Sequence, residues 1–266
     1  MVAENNDRLS NGCINPHAFD WMAANTKRAQ DPRLQQWMAD FLDENKVTKI
    51  VSFPGAHWCF EQSVARAFPA FNFEFIGIEQ NPEVHTDMVE FAKVNSPLFP
   101  NAVFKPYKEH PCTTQEFLDD AQGDDCDVLY FDYLGTWSLE KQAHLDIVAR
   151  KRVCKALFLT IMLNRGQPAV NEPIAKAMQL MKEAEGHIPY LHLINVDAPR
   201  QSLKPGSVSM IKIEGLPARV YELCQKHGVT PSLIGSSVYD SYPKIETTRM
   251  APNAEMSLAF DLTTEE

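Results

Sequence analysis

The sequence predicts an α/β fold: a doubly wound, mostly parallel sheet with antiparallel strands near the C-terminus and an inserted hairpin. Three observations carry this expectation. Short β-branched or apolar runs alternate with helical periodicity from Val47 to Ile161. The run Ala156 to Leu163 is apolar throughout, as a strand covered on both faces must be. The last segment, Met256 to Leu262, alternates apolar and polar residues with the period of a strand.

Each element follows from local chemistry. Asp31 is placed to cap a helix with Pro32 at its first position, and Leu34, Trp37, Met38, Phe41 and Leu42 keep helical spacing to about Asn45. Val47 to Phe53 forms the first strand, stopped by Pro54-Gly55. Phe60, Val64, Ala67 and Phe68 mark a short helix before the second strand, Phe73 to Ile78, which ends at Glu79. Asn81 caps the next helix with Pro82 behind it, and Ala102 to Phe104 is the third strand. Thr113 and Glu116 have capping-box spacing, and Asp127 to Asp132 is the fourth strand. Ser138 caps a helix running to about Arg152, ahead of the fifth strand, Lys155 to Ile161.

Beyond Arg165 the alternation changes. A helix over Pro173 to Ala184 precedes two β-like runs, Tyr190 to Val196 and Val208 to Ile213, which the pattern pairs as the inserted hairpin. Val220, Leu223, Cys224 and His227 share a helix face closed by Gly228, and Ser232 to Tyr239 and Met256 to Leu262 end the sheet. The expected organisation is an N-terminal helical segment over 1–46 and one domain over 47–266 with its insertion near 187–214.

Composition narrows the function. A formal charge of -10 argues against sequence-blind binding along a nucleic-acid backbone, although an aromatic loop leaves a nucleic acid among the candidate partners. The six cysteines are scattered with no Cys-x-x-Cys pair, which fits reduced thiols in a cytoplasm. No apolar run is long enough for a membrane span. The eight histidines show no metal-ligand spacing, so no metal is expected. Neither a Gly-x-Gly-x-x-Gly nor a P-loop pattern is present, which disfavours nicotinamide, flavin and phosphoryl-transfer chemistry.

In an open α/β sheet, ligands lie beyond the carboxyl ends of the strands where strand order reverses. The loop after strand one, Ser52 to Glu61, has Gly55 for close backbone approach. Glu79 at the tip of strand two is placed either to accept from the two hydroxyls of a ribose or to face the dipole of the Asn81 helix. Strand four ends in Tyr130-Phe-Asp-Tyr-Leu-Gly-Thr-Trp-Ser138, a carboxylate followed by two aromatics that either stack on a planar substrate or pack the sheet edge.

Through the glycine turn after strand one, the acid ending strand two and the Asp-aromatic loop after strand four, residues 47–165 resemble the class I S-adenosylmethionine-dependent methyltransferases. The resemblance implies a Rossmann-like fold and S-adenosylmethionine as cofactor. It implies that Phe53, Gly55 and His57 line the methionine end of that cofactor, that Glu79 holds its ribose, and that Gln80 with Tyr107 or Glu109 flanks its adenine. Asp132 and Tyr133 become the candidate catalytic residues, and Trp137 and Arg165 the candidate substrate contacts. Two departures stand out: the usual Gly-x-Gly is reduced to Pro54-Gly55, and Tyr133 and Leu134 stand where amino-group methylating members carry prolines. The methyl acceptor is therefore left open among a base, a small molecule and a protein side chain. A methyltransferase-like binding or assembly module without catalysis is the alternative.

Overall fold

Parallel neighbours need a crossover between them, and the alternating sequence supplies one each time. The computed structural model describes residues 31–163, 168–186, 190–196, 208–240 and 254–263. Among these, the strands are β1 (Val47–Ser52), β2 (Asn72–Gly77), β3 (Ala102–Pro106), β4 (Cys126–Thr136), β5 (Cys154–Met162), β6 (Ile194–Val196), β7 (Ser232–Asp240) and β8 (Ala254–Asp261). They form one sheet in the order β3-β2-β1-β4-β5-β8-β7-β6. The first five are parallel, β8 runs antiparallel between β5 and β7, and β6 is parallel to β7. The predicted doubly wound sheet is present, and its order reverses between β1 and β4.

The helices are α1 (Asp31–Met38), α2 (Cys59–Ala67), α3 (Pro82–Asn95), α4 (Thr114–Asp120), α5 (Leu139–Lys151), α6 (Pro168–Glu185) and α7 (Val208–Gln225). The starts of α3, α4 and α5 are set by the predicted caps. Asn81 accepts from the amides of Glu83 and Val84 at 2.9 and 3.2 Å. Thr113 and Glu116 close a reciprocal capping box, and Ser138 accepts from the Lys141 amide at 3.2 Å.

Strand alternation divides the interior into two cores, one per face of the sheet. On one face Val51, Ile76, Leu129, Phe131 and Leu157 pack against α5, α6 and α7 through Leu145, Ile174 and Leu216. On the other, Ile50, Phe75, Val128, Tyr130 and Phe158 pack against α1, α2 and α3 through Met38, Val64 and Met88. Helix α1 is tied to this second face: Arg33 donates to Ser237 Oγ at 2.5 Å and Gln35 to Ser63 Oγ at 2.8 Å.

Two expectations need correction. The first helix stops at Met38, with a 3-10 turn over Ala39–Phe41, rather than reaching Asn45. Leu42 is extended and Asp43 accepts from the Asn45 amide at 2.9 Å, a local side-chain turn that competes with the helix ladder. The inserted hairpin is absent: Val208 to Ile213 is the first part of α7, and only Ile194–Val196 of the other run is a strand, paired with β7. The run Val208 to Ile213 has β propensity, but Ile213, Leu216, Val220, Leu223 and Cys224 lie at helical spacing and are all buried, so burial on the sheet decides. Tyr190 donates to the Glu214 carbonyl at 2.7 Å and fastens this helix to the segment before β6.

Candidate functional site

Because β1 to β5 are parallel, the residues that follow them collect along one edge of the sheet. Phe53 and Gly55 follow β1, Glu79 and Gln80 follow β2, Tyr107 and Glu109 follow β3, and Asp132 and Tyr133 lie in the second half of β4. The backbone extends this edge beyond the strands: the Ile78 amide donates to the Ser52 carbonyl at 2.9 Å and the Tyr107 amide to that of Gly77 at 2.8 Å.

The turn after β1 is open above and fixed below. Gly55 has φ +59°, and no heavy atom lies within 4 Å of where a Cβ would stand. Gly77 beneath it has no room: a Cβ there would sit 2.8 Å from Pro54, Trp58 and Met88. Trp58 is fully buried, starts α2 from a left-handed backbone conformation, and donates from Nε1 to the Met88 carbonyl at 3.1 Å. A close-packed floor of Gly77, Pro54 and Trp58 therefore holds the turn in one shape. Beside it the buried Glu61 carboxylate accepts from Ser52 Oγ at 2.5 Å.

Glu79 is half-buried at the end of β2, where its Oε1 accepts from the Asn81 amide at 2.7 Å and its carbonyl from the Cys112 amide at 2.8 Å. The first bond fixes the carboxyl group at the start of α3 and the second fixes the backbone of Glu79. Gln80 and Glu109 are exposed, and Asp132 is half-buried in the second half of β4. His57 is exposed, with its ring edge-on to Phe91 at 6.3 Å. Tyr107 packs edge-on against Phe117 at 5.0 Å. Arg165 lies outside the described residues.

Tyr133 and Trp137 point inward. Phe53, Phe131 and Tyr133 form an aromatic cluster with centroids 5.0 to 5.6 Å apart. The Tyr133 hydroxyl bonds His144 Nδ1 at 3.0 Å, and Lys141 lies 4.9 Å above its ring. Burial, with Glu140 nearby, pushes the Tyr133 hydroxyl well above the usual tyrosine range, and burial pushes His144 down, so the pair is neutral. Trp137 is 1% exposed and its ring presents no face for a substrate to stack on. Sequence reasoning passed over His144, although its place in α5 two turns after the strand-four loop is a readable signal.

The opposite face of the same edge carries residues that sequence reasoning also missed. Tyr130 OH lies 3.2 Å from Thr160 Oγ1, Thr160 Oγ1 lies 3.0 Å from Ser257 Oγ, and Ser257 Oγ lies 3.3 Å from Tyr239 OH. All four side chains are buried. Polar residues within otherwise apolar strands were the available signal.

A depression of about 290 Å³ near Arg66, Phe99 and Asn101 lies at the other, amino edge of the sheet. Asn101 Nδ2 is spent there on the carbonyls of Ala65, Phe68 and Phe71, so the depression is structural. Among the described residues no three His, Cys, Asp or Glu side chains come together to hold a metal. No helix among them is long and apolar enough to cross a membrane.

Five parallel strands with a reversal between β1 and β4, and a final antiparallel strand seated between β5 and β7, define the architecture. The fold is a doubly wound, Rossmann-like sheet. No protein-family model matches the chain, and no curated protein matches it. Among solved structures the chain is similar to M. jannaschii TYW2 in complex with AdoMet, at 13% identity and TM-score 0.46 over 96% of this chain and 85% of that one. The mitomycin 7-O-methyltransferase MmcR has 12% identity and TM-score 0.40 over 88% of this chain and 54% of its own. The arsenic(III) S-adenosylmethionine methyltransferase CrArsM of Chlamydomonas reinhardtii has 12% identity and TM-score 0.42 over 82% of this chain and 64% of its own.

Proposed function

We propose that the protein is an S-adenosylmethionine-dependent methyltransferase acting in the cytoplasm. One observation carries the reading: the open turn at Gly55 stands between two half-buried carboxylates, Glu79 and Asp132, at the point where strand order reverses. Glu79 fits a nucleoside whose sugar offers two hydroxyl donors, and Asp132 fits a donor on the methyl acceptor. Glu79 would hold the ribose, Gln80 and Glu109 would stand at the adenine, and Phe53, Gly55 and His57 would line the methionine end. When bound, the cofactor supplies a methyl group on a sulfonium, already a good leaving group.

The residues of the chain then have little acid–base work to do. Asp132 orients the acceptor by accepting from it. Tyr133, neutral and bonded to His144, keeps the aromatic cluster under Phe53 in register. The five described cysteines are all free, which supports a reducing compartment. The alternative, a module that binds without catalysis, draws on the burial of Tyr133 and Trp137, which leaves the strand-four loop without an exposed aromatic platform.

Calorimetric titration with S-adenosylmethionine and S-adenosylhomocysteine tests the reading. Binding at micromolar concentration is expected, and Glu79→Ala should weaken it at least about tenfold, because hydrogen bonds to a charged group contribute about 1.5–3 kcal/mol. No binding up to millimolar ligand would reject it. Binding without methyl transfer to any acceptor favours the module.

A further inference from the structure

Three buried side-chain nitrogens at the start of α5 have no hydrogen-bond partner among the described residues: Trp137 Nε1, Gln142 Nε2 and His144 Nε2. Their residues are 1, 5 and 3% exposed, so bulk solvent does not satisfy them either. Two of the three belong together. Ser138 caps α5, which puts Trp137 just before the cap and Gln142 at the fourth helical residue, the two positions whose side chains pack on each other where a helix begins. Gln142 Oε1 accepts from Arg219 Nε at 3.0 Å, so α7 orients the amide and Nε2 is the donor left over. An indole nitrogen only donates. His144, two residues beyond Gln142 and so on the opposite flank of the helix, is bonded through Nδ1 to Tyr133.

Two donors buried side by side without an acceptor cost free energy that Phe at 137 and Leu at 142 would not. Stability does not explain the pair, but its position does. It follows directly after β4, the strand that carries Asp132, on the edge where Gly55 and Glu79 stand. We infer that Trp137 Nε1 and Gln142 Nε2 are the two donors of an oxyanion subsite that takes a carboxylate on the methyl acceptor, with Arg219 as the positioning residue that turns Gln142. Trp137 meets the ligand through its N–H, not by stacking.

A carboxylate has two oxygens for the two donors and no hydrogen of its own to leave unpaired. The start of α5 adds the positive end of a 13-residue helix, which favours an anion over a neutral carbonyl. The charged side chains beside the pair cancel in formal charge: Glu140 and Lys141 stand in the first turn, and Arg219 is paired with Glu222. The preference is therefore set by the helix and the two N–H groups. Leu139, the first residue of α5, is 59% exposed, so the donors lie about one helical turn from the surface and a small carboxylate reaches them as that turn opens. The inference rests on the methyl-transfer reading for the identity of its ligand, not for its test.

Proton–nitrogen NMR of the full chain labelled at tryptophan tests this with acetate as the probe, against acetamide and sodium chloride. The Trp137 indole signal, identified by its loss in Trp137→Phe, should move saturably with millimolar acetate while the other three tryptophan signals stay in place. Acetamide should bind at least fivefold more weakly, and chloride at matched ionic strength should not move the signal. Gln142→Glu keeps an acceptor for Arg219 and removes the donor, so it should weaken acetate at least about tenfold; Gln142→Leu serves if that variant unfolds. Acetate should also raise the melting temperature of the wild type and not of Trp137→Phe or the Gln142 variants, a ligand-linked loss that a merely structural role would not produce. An indole signal that no probe moves would mark a buried water as its partner and overturn the inference, as would an equal response to chloride or an acetate affinity unchanged by the Gln142 variants. Acetate binding to a protein blind to S-adenosylhomocysteine would uphold the subsite and remove methyl transfer; the reverse pattern would remove the subsite and keep methyl transfer.

Discussion

The two faces of the sheet meet the same edge with opposite chemistry. On the face beneath α5, α6 and α7 the strands end in Phe53, Phe131 and Tyr133, backed by Trp137 and His144. On the other face the same edge carries Ser52, Asp132, Thr160 and Ser257, with Glu79 beyond β2. Successive residues of one strand serve both: Phe131 and Asp132 differ by one position and by one face. The comparison teaches a division of labour. The aromatic face fixes the shape of the edge, and the polar face offers it acceptors.

If that division holds, breaking the aromatic face should cost stability first. Trp137→Ala removes a fully buried ring, and urea unfolding should record a loss of about 3–5 kcal/mol. The same face holds the buried amine of Lys212, which donates to the Leu163 carbonyl at 3.2 Å. Burial pushes that amine down from 10.5 to about 8, so between those values the unfolded chain binds more protons than the folded one and stability rises with pH. The wild type should therefore gain stability relative to Lys212→Met by up to about 1.4 kcal/mol per pH unit from pH 8 to 10, as followed by denaturant midpoints.

A smaller effect sits between the faces. Gly77→Ala places a methyl 2.8 Å from Pro54, Trp58 and Met88, and should cost about 1–3 kcal/mol while weakening S-adenosylhomocysteine binding by moving the Gly55 turn. On the polar face, Ser257→Ala should cost only about 1 kcal/mol, the worth of a hydroxyl bond, and should leave the melting transition nearly in place. Calorimetry that found Ser257→Ala more damaging than Trp137→Ala would invert the division.

Much of the edge was legible because strand ends announce themselves. Pro54-Gly55, Glu79 before the Asn81 cap, and Asp132 were all readable from punctuation and periodicity, and all stand on one edge. Tyr133 and Trp137 were legible as aromatics but not as inward-facing ones, since an aromatic just past a strand packs or protrudes according to the helix laid over it. The region after Arg165 failed for a related reason. Val208 to Ile213 suits a strand or a buried helix equally by composition, and the close approach of α6 and α7, where a Cβ added at Gly215 would fall 2.5 Å from Ile174, decided for the helix.

By itself the sequence determined the fold class, the order of the first five strands as elements, the helix caps and the three strand-end positions, because these depend on contacts within a few residues. Only the tertiary structure decided which polar side chains share a face. Thr160, Ser257 and Tyr239 lie far apart in the chain, and their row exists because register across an antiparallel strand brings them level, a relation that no local pattern encodes.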